Sequence, residues 1–471
     1  MKRTSLFKGL MAMVFALVFG LSCFTFAGCG KKYTGTSHVN VVMASATIPP
    51  MQAMLDTIDT EDDTYIWVGR QNTIYSKENL EAVYGEGSFY EKWSTASNIP
   101  ASVVAHMAAI VSKCWYDSNG RVSFDIYVTD YGVLSGLYLV NSIRVPENKY
   151  KIHLLEDGSG AYSQYNDTGY KNAETGKAAY DADKAELDAA IKKMKKGKYD
   201  AKQDFKSGYG LVYAATTLPS VDYYLQCPNF ITSENEEIQA MLTNKTFDLK
   251  KKHQTEMYNA LSAESKTKFK NIILNPDLDE AMTPEEGKRI LMITGTAFTG
   301  EGNGAIATEG ENAWGKGCTF EQYVEYLVAK YGDTHTIVYK GHPSWGLLEN
   351  EVNTSRWNDA EKLPNGLTAA QGLNCAARRK AFFDELGIRV VPAQTPAEAF
   401  IWAYGDVMDL CGYDSSLYFN APQGGVLCVL HNGSYGFSGI NIQLFGVDGA
   451  LYNEDLYVLT LDYIAAHPIE P

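Results

Sequence analysis

Positive charge and histidine are scarce in this sequence. Its 471 residues carry 41 Lys and Arg against 56 Asp and Glu, with 8 His, for a formal net charge of −15. A polyanion binder needs surplus cations to displace counterions, so the balance argues against nucleic acid or an anionic bilayer surface as a partner. Any anionic ligand needs a pocket built locally. Cysteines at metal spacing are missing too. Cys23 and Cys29 lie at the N-terminus, while Cys114, Cys227, Cys318, Cys375, Cys411 and Cys428 are scattered with no C-x-x-C, which argues against a zinc site. Single buried thiols are the plainer reading of these six, although an exported chain could pair some of them. No internal repeat and no low-complexity tract interrupts the chain. Hydrophobic residues make up 45% of it, enough for a well-buried core over two domains.

The N-terminus reads as an export signal. Lys2, Arg3 and Lys8 precede an apolar run from Leu10 to Phe26, short for a membrane span and followed at once by small residues. Phe26-Ala27-Gly28-Cys29 places small residues directly before a cysteine, as a lipoprotein signal peptidase requires. Residues 1–28 are then a signal peptide, Cys29 is the lipidated N-terminus, and 29–38 form a tether. An ordinary signal peptide with a chance cysteine, or an uncleaved anchor, is the alternative. Loss of Lys2, Arg3 and Lys8 takes the charge from −15 to −18. The expectation is an exported lipoprotein anchored to a bacterial cell envelope, touching the membrane through its lipid alone.

Downstream, apolar runs alternate with helical spacing. Strands are predicted at 39–43, 64–68, 122–128 and 150–155, with a helix opened by Pro49 and Pro50 and another running to Asn141. The charged stretch 173–205 holds a helix from Ala185 to Lys196, stopped by Gly197, with a solvated face. A second alternation starts near residue 288. Strands are predicted at 289–293, 336–339, 388–391 and 425–430, with helices at 320–331, 376–386 and 396–408. Such alternation points to α/β architecture, two Rossmann-like halves facing one cleft, with ligands at the carboxyl ends of the strands.

Four segments after predicted strands carry chemistry. Glu156-Asp157-Gly158-Ser159 offers a carboxylate able to deprotonate a bound hydroxyl, though Asp-Gly-Ser is also ordinary turn chemistry. Thr294-Gly295-Thr296 is a small-residue turn that lets backbone approach a ligand. Lys340-Gly341-His342-Pro343 sets a cation and an imidazole at a strand end, where Pro343 keeps His342 extended; a structural histidine is the alternative. Asp414-Ser415-Ser416 is either a phosphate cradle or a simple helix cap.

Taken together, Glu156-Asp157-Gly158, Lys340-Gly341-His342-Pro343 and Ser415-Ser416-Leu417-Tyr418-Phe419, in this order and spacing, resemble the motif set of the family 80 bacterial sialyltransferases. Leu154 to Tyr162, Ile293 to Thr296 with Glu301-Gly302-Asn303, and Pro392 to Glu398 also look like family segments, over most of residues 39 to 430. The resemblance implies a GT-B fold. The N-terminal domain, 39–270, would take the acceptor, and the C-terminal domain, 271–440, would take CMP-sialic acid; a final segment, 441–471, is expected to pack back on the first domain.

By the same resemblance Asp157 is the general base and His342 assists CMP departure. Ser415 and Ser416 bind its phosphate, Gly295, Lys340 and Pro343 line the nucleotide site, and Glu398 holds ribose or base hydroxyls. Glu398 has a rival reading, as the acid of a capping box that starts at Thr395. The implied activity is single-step inverting transfer of N-acetylneuraminic acid to a sugar hydroxyl, a galactoside foremost. It needs no metal and no cofactor beyond the donor, and no Asp-x-Asp pair stands at a strand end. Two departures concern the acceptor side. The family carries a histidine near Thr129-Asp130-Tyr131, and a tryptophan where this chain has Phe298. Competing classes are a solute- or glycan-binding lipoprotein, and a transferase using another CMP-activated sugar.

Overall fold

The computed structural model describes residues 35–69, 75–92, 99–158, 160–200, 207–274, 278–295, 320–341, 381–392, 395–413, 417, 420–421, 425–431 and 457–460. Two six-stranded parallel sheets organise them. The first contains β1 (His38–Ala44), β2 (Asp63–Val68), β3 (Ser123–Thr129), β4 (Tyr150–Leu155), β5 (Val221–Leu225) and β6 (Leu249–Lys251), in the order β2-β1-β3-β4-β5-β6. The second contains β7 (Arg289–Thr294), β8 (His335–Lys340), β9 (Arg389–Val391), β10 (Met408–Tyr413), β11 (Val426–His431) and β12 (Tyr457–Thr460), in the order β12-β11-β10-β7-β8-β9.

Strands covered on both faces are mostly apolar, and the few charged residues they carry, such as Asp222 and His153, pair with one another. β1 buries all but His38, and every residue of β5 is buried. Parallel neighbours cannot be joined by hairpins, so helices carry the crossovers. Ten matter here: α1 (Ile48–Thr57), α2 (Ala101–Asp117), α3 (Val133–Asn141), α4 (Gly160–Asp167), α5 (Gly176–Lys195), α6 (Tyr209–Ala215), α7 (Gln254–Ala260), α8 (Ala263–Ile273), α9 (Phe320–Tyr331) and α10 (Ala397–Tyr404). Pro49 and Pro50 occupy the first turn of α1, where a missing N–H costs nothing. α5 buries Tyr180, Leu187 and Met194 on one stripe and carries its lysines in solvent-side pairs, Lys177 with Asp181 and Lys184 with Asp188. Gly197 follows its end with positive φ.

One face of the first sheet, including Val41, Phe124, Ile126 and Leu154, packs into the largest core. The other, including Val42, Tyr127 and Leu155, packs with residues of α1, α7 and α8. In the second sheet Leu291, Ile293 and Tyr339 meet Val324 and Leu327 of α9, while Ile290, Met292 and Val338 share the first core with Phe400 and Ile401 of α10. The two halves are joined at α10. Trp402 stacks on Tyr258 of α7 at 5.4 Å between centroids, and its indole N–H donates to Thr255 Oγ1 at 3.1 Å. The Thr255 hydroxyl donates on to the Asn420 carbonyl at 3.1 Å.

Three differences from the sequence reading stand out. α2, β5 and β6 were not anticipated. The helix expected over 396–408 ends at Tyr404, and Met408 begins β10, a central strand paired with both β7 and β11. Of the segment expected to return to the first domain, Tyr457–Thr460 instead pairs with β11 and extends the second sheet; the rest lies outside the described residues.

The strand orders place the candidate site. In the first sheet the chain reverses direction between β1 and β3; in the second it reverses between β7 and β10. Crevices open at the carboxyl ends of such pairs.

Candidate active site

At the first switch point, Ser45 follows β1 and Asp130 follows β3. The Ser45 N–H donates to Thr129 Oγ1 at 2.7 Å, and that hydroxyl returns a bond to the Ser45 carbonyl at 3.2 Å, closing the two strand ends together. One strand further on, β4 ends at Leu155 and delivers Glu156-Asp157-Gly158. Gly158 lies at φ 63, a backbone region that costs glycine little, and the turn leads directly into α4.

The three acids gathered here have different environments. Glu156 is fully buried. It accepts from the Tyr162 hydroxyl at 2.7 Å, the Gln226 N–H at 3.0 Å and Gln226 Nε2 at 2.8 Å, which ties β4 to α4 and to the end of β5. Asp130 is equally buried. It accepts from the Tyr223 hydroxyl at 2.6 Å, the Tyr131 N–H at 2.6 Å, the Tyr209 hydroxyl at 3.3 Å and the Asp157 N–H at 3.4 Å. Burial pushes both carboxyls up to about 7; the donors oppose this, and the charge of Asp157 adds to it. Asp157 alone of the three is half-buried.

At the second switch point, Thr294 ends β7 and Gly295 donates its N–H to the Lys340 carbonyl at the end of β8, at 2.9 Å. The Thr294 hydroxyl donates to the Cys411 carbonyl at 3.2 Å. Gly412, at φ 137, packs so closely on Thr294 that a Cβ there would overlap its backbone. Lys340 is buried, and so is Glu398 in the first turn of α10. Burial raises the Glu398 carboxyl, and the charge of Lys340 pulls it back down. Pro396, not Thr395, holds the cap position of α10, and no side chain caps it, so the capping-box reading of Glu398 does not hold. From the first half, Tyr75 comes within electrostatic reach of Glu398; burial, then that carboxyl, raises its hydroxyl.

Of the residues singled out from the sequence, Asp157 stands at the first crevice, while Gly295, Lys340 and Glu398 gather at the second. His342, Pro343, Ser415, Ser416 and Cys29 lie outside the described residues. Asp130, Tyr209, Tyr223 and Gln226 were not read as site residues. In the sequence Asp130 is marked by its place shortly after a strand and by the departure at Thr129-Asp130-Tyr131, where the resembled family carries a histidine.

No protein-family model and no curated protein matches the sequence. Solved structures do match in shape. An α/β-galactoside α-2,3-sialyltransferase from Photobacterium phosphoreum superposes with a TM-score of 0.59 at 15% identity, over 90% of this chain and 99% of its own. A Photobacterium 2,6-sialyltransferase, solved with CMP and lactose, gives 0.58 at 13%, over 90% of this chain and 78% of that one. The GT-B domain of a Photobacterium damselae sialyltransferase gives 0.57 at 15%, over 90% and 100%. The fold is that of the bacterial GT-B sialyltransferases. Within the sialyltransferase fold, Asp157 follows a strand near the middle of the first sheet, and Gly295 and Lys340 close two adjacent strands of the second.

Proposed function

We propose that the chain is a sialyltransferase that moves N-acetylneuraminic acid from CMP-sialic acid to a sugar hydroxyl, foremost of a galactoside, with inversion and without metal. Asp157 takes the acceptor proton while that oxygen attacks the anomeric carbon from the face opposite CMP. The anomeric C–O bond to phosphate breaks, and CMP leaves with the electron pair. His342 offers the departing phosphate a proton or a charge, and Lys340, Ser415 and Ser416 neutralise it. Glu398 holds ribose or base hydroxyls beside Gly295 and Pro343.

The observation that carries this reading is a half-exposed Asp157, at a strand end between two fully buried acids, within a chain matching sialyltransferase structures over 90% of its length. One of those structures holds CMP and lactose, the two ligand classes that the reading assigns to this chain. The test is incubation of the full chain with CMP-sialic acid and lactose in EDTA, followed by mass spectrometry and by NMR of the new glycosidic centre. α-Linked sialyl-lactose with CMP release is the expected product. A β-linked product contradicts inversion, activity lost in EDTA contradicts metal independence, and neither CMP release nor CMP binding contradicts the whole reading.

A further inference from the structure

Asp130 has no exposed surface, and its carboxyl accepts from the Tyr209 and Tyr223 hydroxyls and from the backbone N–H groups of Tyr131 and Asp157. One of those donors is the backbone N–H of Asp157, and it shares Oδ2 with the Tyr223 hydroxyl. Two consequences follow. This 3.4 Å bond ties the Asp130 carboxyl to the backbone of Asp157, so the buried acid helps to set where Asp157 stands. The charge on Asp130 also falls beside Asp157 in a place that water does not screen, where two carboxylates hold charge together only at a cost. The other groups facing Asp130 are hydroxyls: Tyr209 and Tyr213 on α6 and Tyr223 on β5, with Glu156 next to Asp157 in the same turn. Among the described residues, Asp157 is a charge that acts on Asp130.

Resting on the transferase reading above, we propose that Asp130 is the positioning residue of Asp157: it fixes the backbone of the base and, once ionised, strengthens it, so that turnover rises with pH as Asp130 loses its proton. An acid next to an anion has the higher proton affinity and is the better base in the transition state. Burial, reinforced by the charge of Asp157, places that loss of the proton around neutral pH.

The experiment is the pH profile of kcat, with donor KM at each pH, for wild type, Asp130→Asn and Tyr223→Phe, using CMP-sialic acid and lactose. Wild type should show a rising limb near neutrality. Asp130→Asn should lose that limb and fall about tenfold on the alkaline side with donor KM unchanged. Tyr223→Phe should move the limb to higher pH, because the anion loses a donor. This second variant keeps the carboxyl, so it decides the matter if the asparagine variant does not fold. A merely structural role would lower activity without moving the limb. A limb that survives Asp130→Asn, or stays in place in Tyr223→Phe, overturns the proposal alone. A wild type that never releases CMP overturns the transferase reading, and this proposal with it.

Discussion

At the scale of single residues, the division of labour follows from burial. Glu156 and Asp130 are acids placed where only hydrogen bonds make them tolerable, while Asp157 is half-buried. On the donor side the account assigns phosphate binding to Ser415. Ser415→Ala should therefore raise donor KM several-fold, with kcat changed far less, in a titration of CMP-sialic acid; a fall in kcat at constant KM would contradict that role. Asp157 was singled out in the sequence by the resemblance of the whole motif set, since Glu-Asp-Gly after an apolar run is also ordinary turn chemistry. Asp130 was not, because its meaning comes from Tyr209 and Tyr223, which lie 79 and 93 residues away and reach it only through folding. For Glu398 the structure sets aside the rival capping-box reading. The spacing of a capping box is present, but Pro396 takes the cap position and the carboxyl is buried near Lys340.

Elements tell a similar story at the next scale. β1, β4, β8 and α9 are visible in the sequence because their apolar pattern and their flanks agree with what the fold requires. β10 is not. Met408 to Tyr413 reads locally as the continuation of an apolar helix, and only pairing to β7 on one side and β11 on the other makes it a strand. Its exit depends on Gly412, whose positive φ and contact with Thr294 leave no room for a side chain. Gly412→Ala should cost about 1–3 kcal/mol and lower the thermal midpoint by a few degrees. Because Gly412 stands three residues before Ser415 in the sequence, CMP affinity should fall in the same variant, measured by calorimetry. An unchanged midpoint would show that the strand end accommodates the added methyl freely.

For the molecule as a whole, the two-sheet plan was readable from the two alternations, whereas the join through Trp402, Tyr258 and Thr255 was not, since it brings together residues about 150 positions apart. Stability across pH is also a property of the whole chain. A ladder of charges crosses the first sheet: His38 beside Asp125, His153 between Asp125 and Asp222, and Lys151 near Asp222 and Asp248. Burial alone would lower the His153 imidazole, but the two carboxylates override it and push it up to about 9. The folded state thus keeps a proton that the unfolded chain releases near 6.5. That stability is complete below pH 6.5 and is lost as pH rises through 9. Asp130 and Glu156, pushed up to about 7, act in the same direction between about pH 4 and 7, because the folded protein holds protons that the unfolded chain has shed. Thermal midpoints should decline from pH 6.5 to pH 9, and His153→Gln should flatten that decline. A midpoint that rises over this range would contradict the ladder.

The central claim is that Asp157 is the base of a sialyl transfer. Its most direct test compares wild type with Asp157→Ala for sialyl-lactose formation from CMP-sialic acid, with CMP affinity measured on both. The account predicts transfer by the wild type, a loss of turnover on the order of 10²- to 10⁴-fold in the variant, and equal CMP affinity. Equal turnover in the two proteins would contradict it.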